Sequence, residues 1–135
     1  MTTTDLVSDL PSDSGALRVP GVRGLKPLPP GGELDLPGSP VIVPTPGHTA
    51  GHCALHLPAR DTVLSGDALV TLDPYTGERG PQIVAGAATA DSRQALASLD
   101  ALVATGARTV LPGHGEPWTA GVESAVDEAR RRGAH

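Results

Sequence analysis

Pro46-Gly47-His48-Thr49-Ala50-Gly51-His52 follows directly on Val41-Ile42-Val43, a β-branched run stopped by Pro44 and Pro46. An apolar strand that breaks at proline and turns through glycine delivers its next side chains to a loop at a sheet end. Here those side chains are imidazoles. The same pattern occurs twice more downstream. Thr62-Val63-Leu64-Ser65 runs into Gly66-Asp67-Ala68, and Thr109-Val110-Leu111 runs into Pro112-Gly113-His114-Gly115. Each glycine permits positive φ or a close backbone approach. Two imidazoles and a carboxylate are a donor set suited to zinc or iron, because neutral imidazole and carboxylate oxygen both bind borderline divalent ions. An imidazole from the first turn, His48 or His52, with Asp67 and His114, makes up the metal-competent set.

Working outward, Cys53-Ala54-Leu55-His56-Leu57 and Thr62–Ser65 flank Pro58-Ala59-Arg60-Asp61 and read as a β-hairpin. Residues 70–90 carry Asp73-Pro74, Gly77 and Gly80-Pro81 and read as a long surface excursion with a short strand at Ile83-Val84. Asp91-x-x-Gln94 resembles a capping box, and Leu96, Leu99, Leu102 and Val103 recur at helical spacing before Gly106. A last helix is expected from Thr119, burying Val122, Ala125, Val126 and Ala129, with Glu123 early and Arg130 to Arg132 late, as the helix dipole favours. The order β, ββ, loop, α, β, α predicts an α/β fold with a mixed sheet.

Residues 1–40 hold thirteen of the chain's thirty-one Gly and Pro residues. The expected division is a loose segment over 1–16, with at most a short strand at Leu17 to Val19, and one domain over 17–135. A chain of 135 residues suffices for a single core, which must be aliphatic because the sequence has no Phe, one Trp and one Tyr. A formal charge of -5 argues against general nucleic-acid or anionic-membrane binding. The lone Cys53 excludes an intramolecular disulfide and a Cys-based zinc site, and with no secretory pattern a cytoplasmic location is expected.

The ordered set Pro-Gly-His-Thr-x-Gly-His, Ser-Gly-Asp and Pro-Gly-His-Gly resembles the second half of the metallo-β-lactamase-fold hydrolases, which include glyoxalase II-like thioesterases and lactonases. The resemblance runs from about Gly32 to Ala129. It implies that His48 ligates a first metal, that His114 ligates a second, and that Asp67 bridges both as the catalytic carboxylate, with zinc, or else iron or manganese, as cofactor. It further implies hydrolysis of an ester, thioester or amide of a small-molecule substrate by metal-bound hydroxide. His52 matches a position that is not usually a direct ligand.

Those enzymes also carry an upstream His-x-His-x-Asp-His motif that supplies four of seven ligands, and no histidine precedes His48 here. The chain is thus expected to represent the C-terminal half of an αββα sandwich and to be incomplete alone. Its partner would be a complementary N-terminal half or a second copy. The alternative is a metal-free half-fold module that associates through its bare sheet face. The residue readings beside this are plain ones: His52 as a turn-stabilising hydrogen-bond group, His56 as a surface histidine and Cys53 as a small core residue. Trp118 is expected to pack the final helix on the sheet, Tyr75 to lie in the long loop, Arg130 to Arg132 to be a solvated helix end, and His135 to carry no role.

Overall fold

The computed structural model describes residues 20–29 and 31–135. The expected loose segment over 1–16 and the strand at Leu17 to Val19 lie outside them. Among the described residues the fold has two sheets and two α-helices, with two short 3-10 turns. The larger sheet contains β1 (Gly32–Glu33), β2 (Val41–Pro44), β3 (Cys53–Leu57), β4 (Thr62–Gly66) and β7 (Thr109–Pro112), in that spatial order. β1 to β4 pair antiparallel, and β4 pairs parallel with β7. A parallel pair needs a long crossover. The crossover consists of a two-stranded arm, β5 (Val70–Leu72) with β6 (Arg79–Gln82), followed by helix α1 (Ser92–Val103); α2 (Val122–Arg132) closes the chain.

Strand alternation sorts the sheet into two faces. Ala54, Val63 and Val110 face the helices and join Leu99, Leu102, Val122, Ala125, Val126 and Ala129 in one aliphatic cluster, as the helical spacing requires. On the opposite face Ile42, Leu55, Leu64 and Leu111 stand opposite one another across four strands. Asp91 caps α1 by accepting the Gln94 amide at 2.9 Å, so the capping signal marks the true helix start. α2 begins at Val122, three residues later than Thr119, because Gly121 holds φ 94° and the Val122 amide is bonded to the Ala107 carbonyl. Trp118 exchanges backbone bonds with Val110 and donates its indole N–H to Ser124 Oγ at 2.9 Å, tying α2 to the sheet. Among the described residues no helix is long and apolar enough to cross a membrane.

Residues 70–90 differ from the surface excursion read in the sequence. Val70, Gln82, Ile83, Val84 and Ala85 are buried, and Ile83-Val84 lies outside any strand. The arm folds inward because Asp73, whose side chain is fully buried, organises it. Asp73 Oδ1 accepts the amides of Tyr75 (2.8 Å) and Thr76 (3.3 Å), and Oδ2 accepts that of Ala85 (2.8 Å). His135 Nε2 lies 3.2 Å from Oδ2, so this residue has a structural contact where the sequence offered none. Arg132 is also not simply solvated. It donates to the Arg79 carbonyl at 2.6 Å and lies 3.5 Å from Glu78, fixing the arm to α2.

Burial on its own would raise the pKa of Asp73, but the backbone donors of Tyr75, Ala85 and Thr76, with His135, outweigh it and hold the carboxyl below its ordinary value. A depressed carboxylate stabilises the fold above its unfolded pKa, and that contribution is lost as pH falls through the folded one. Asp73→Asn is therefore expected to lower stability by about 1–3 kcal/mol near neutral pH, measured by urea unfolding. The gap to the parent chain should shrink below about pH 3.9, and a gap that widens on acidification would contradict this account.

Candidate metal centre

The three glycine-marked turns meet at one end of the sheet. β4 and β7 run parallel, so their C-terminal ends lie side by side, and the register shift between Leu64 and Gly66 turns the chain toward Asp67. Ser65 Oγ–H bonds the Leu69 carbonyl at 2.7 Å and fixes that turn. The Gly113 amide bonds the Gly66 carbonyl at 2.8 Å, setting the His114 turn directly against the Asp67 turn. A Cβ on Gly113 would stand 2.3 Å from Asp67 Oδ1, so only glycine allows this approach. The His48 turn rests on the start of α1. Asp91 N–H bonds the Gly47 carbonyl, Ala90 N–H bonds the His48 carbonyl, and Ser98 Oγ–H bonds the Pro46 carbonyl at 2.6 Å.

Within this frame Asp67 lies between the two imidazoles. His48 Nε2 is 3.3 Å from Oδ2 and His114 Nε2 is 3.4 Å from Oδ1. Both separations exceed the ~2.7–3.2 Å of a good N–H···O bond. They do match the spacing of about 3.3–3.4 Å between two ligands of one tetrahedral ion with bonds of ~2.0–2.1 Å. Each carboxylate oxygen faces its own imidazole, which suits a carboxylate shared by two ion positions better than three ligands around one. No group of three or more His, Cys, Asp or Glu side chains among the described residues makes a metal site by itself. The chemistry of the donor set, two imidazoles and a carboxylate, is of the kind that binds borderline divalent ions. His48 Nδ1 is buried and has no hydrogen-bond partner among the described residues.

His52 does what a turn-stabilising residue should, and it does so beside the centre. The Asp67 amide donates to His52 Nε2 at 3.1 Å, and His52 Nδ1 meets Thr45 Oγ1 at 2.8 Å. A ring nitrogen that accepts a backbone N–H carries no proton, so Nδ1 holds it and donates to Thr45. Burial lowers the pKa of His52, and His48 adds to the shift; Asp67 and Thr45 oppose it. Thr45, 1% exposed, was not singled out in the sequence; its place one residue before the Pro-Gly-His turn was the available signal. His56 is paired in register with Val41 and Val63, away from the centre. Cys53 is half-buried on the sheet face opposite the helices and is not part of the aliphatic cluster, and Tyr75 is 67% exposed.

A family model described as the metallo-beta-lactamase superfamily matches residues 5–114. The chain belongs to the metallo-beta-lactamase superfamily. Among solved structures it is similar to a metallo-beta-lactamase family protein from Thermus thermophilus, with 29% identity and a TM-score of 0.57 over 78% of this chain and 34% of that one. It also resembles in fold the DIM-1 metallo-beta-lactamase, with 21% identity and a TM-score of 0.52 over 76% of this chain and 44% of that one. The chain therefore spans between a third and a half of the length of these structures. A search of curated proteins gives no match.

The tautomer and titration of His52 beside the candidate ligands can be read directly. Nitrogen-15 correlation spectra at pH 7 should show the Nδ1–H tautomer, with titration below the ordinary value of ~6.5. An Nε2–H tautomer would break the assigned bond to the Asp67 amide.

Proposed function

We propose that His48, Asp67 and His114 form the downstream part of a two-metal hydrolase centre acting on an ester, thioester or amide, completed by ligands that lie outside this sequence. One observation carries this reading: a half-buried carboxylate with one oxygen turned to each of two imidazoles, at ligand-to-ligand spacing. Superfamily membership supports it. His48 and His114 would each hold one ion and Asp67 would bridge them. A divalent ion there would polarise a carbonyl oxygen and acidify water near neutral pH. Zinc suits the nitrogen and oxygen donors, and iron or manganese would also be accepted. The chain's own part is to aim the donors: the α1 start holds His48, the β4–β7 pairing holds Asp67 against His114, and His52 orients the Asp67 backbone.

A second reading, a metal-free module that binds another chain through its sheet, is favoured by the row Ile42, Leu55, Leu64 and Leu111, of which Leu111 is 38% exposed. A hollow of about 240 Å³ on the same face is lined by Leu28, Pro29, Ile42, Pro44 and Cys53. The occupant on this reading is a partner chain or a second copy of this chain.

Zinc calorimetry on metal-stripped protein separates the two readings. Under the hydrolase reading His48→Ala, Asp67→Ala and His114→Ala each weaken zinc binding, by a further ~10-fold or more than any change caused by His56→Ala. Zinc affinity indifferent to all four substitutions would overturn it, and concentration-dependent association seen by light scattering without zinc uptake would favour the module.

A further inference from the structure

We infer that Thr71 is the positioning residue for His114, acting through the backbone of the 113–116 loop; this rests on the reading of His114 as a metal ligand. Among the described residues no hydrogen bond holds the His114 ring, and its side chain is 43% exposed. Its direction must therefore come from the loop backbone. That backbone is gripped on one side by β5. The His114 carbonyl accepts the amides of Thr71 at 3.0 Å and Leu72 at 3.3 Å. Thr71 Oγ1–H donates to the Glu116 carbonyl at 2.6 Å. A Cβ on Gly115 would stand 2.3 Å from Thr71 Oγ1, so loop and strand touch with no room for a side chain between them.

The other grip is the bond from the Gly113 amide to the Gly66 carbonyl. Both grips belong to residues 66–72, the same continuous segment that carries Asp67. The separation of His114 from Asp67 is thus fixed by one short stretch of chain rather than by two elements that drift independently. Thr71 is 8% exposed, a position where valine would fill the same volume. What valine lacks is the donor for Glu116. The arm is a firm base for this grip because Asp73, one residue beyond β5, takes three backbone amides and Arg132 fastens β6 to α2.

The test uses the full chain with nitrogen-15 histidine, titrated with zinc alone, as the parent, Thr71→Ser and Thr71→Val. In the parent and the serine variant zinc should shift the His48 and His114 rings together. Thr71→Val should leave the His48 midpoint within about twofold and raise that of His114 by ~10–100-fold, the usual cost of losing a ligand's supporting bond. Equal midpoints at His114 in all three proteins would overturn the inference. Amide exchange in metal-free protein provides an arm that needs no zinc. Thr71→Val should speed exchange at Gly113 and Leu72 by ~10-fold, with α1 amides unchanged and Thr71→Ser restoring protection. Unchanged exchange at Gly113 and Leu72 would overturn it equally. A parent chain whose histidines ignore zinc would defeat the metal reading, while the exchange result still decides the role of Thr71.

Discussion

The parallel pairing of β4 with β7 is the constraint on which the rest depends. Antiparallel neighbours place a strand end beside a strand start, whereas a parallel pair places two C-terminal ends together. Gly66 stands opposite Pro112, so Asp67, one residue beyond β4, and His114, two residues beyond β7, emerge at the same end of the sheet. β2 ends at the same edge, and the loop that follows it brings His48 to the opposite side of Asp67. The cost of a parallel pair is a long connection, and here that connection is put to use. Its first part, the β5–β6 arm, grips the His114 loop, and its last part, the α1 start, supports the His48 loop.

Much of this was legible in the sequence where local chemistry and long-range packing agree. The runs at Val41-Ile42-Val43, Thr62-Val63-Leu64 and Thr109-Val110-Leu111 became strands, Asp91 capped α1, and Val122, Ala125, Val126 and Ala129 formed the buried stripe of α2. The Gly-His and Gly-Asp turns emerged where their glycines and prolines placed them. The arm was misread because its burial has a non-local cause. Nothing local in Asp73-Pro74-Tyr75-Thr76 distinguishes a solvated turn from one whose carboxylate also bonds Ala85, twelve residues on, and His135 at the end of the chain. The same holds for Arg132, whose partners at Glu78 and Arg79 lie more than fifty positions away, and for Thr45, which matters only because His52 folds back over it.

His52 shows how a residue outside the donor set governs the donor. It takes the backbone amide of Asp67 and leaves both carboxylate oxygens without an N–H partner among the described residues. A protonated His52 could not accept that amide and would place a cation beside the proposed metal positions. Burial and the neighbouring His48 both act against that protonation. Neutrality of this ring and availability of the carboxylate are two faces of one arrangement.

The contrast between Asp67 and Asp73 shows why a carboxylate at a turn can be structural in one place and chemical in another. Both follow a strand of this fold by one residue, and both sit within reach of a histidine. Asp73 is fully buried and its oxygens are taken up by three backbone amides and His135, so it has no capacity left for an ion. Asp67 keeps 28% of its side chain exposed, and each of its oxygens faces an imidazole at a distance too long for a good hydrogen bond. A carboxylate left unsatisfied between two nitrogen donors gains most from a cation, whereas a satisfied one gains little. Sequence pattern alone gives Gly66-Asp67 and Leu72-Asp73 similar standing as strand-end acids. Their hydrogen-bond partners separate them, and that separation is the physical basis for proposing Asp67, rather than Asp73, as a metal ligand.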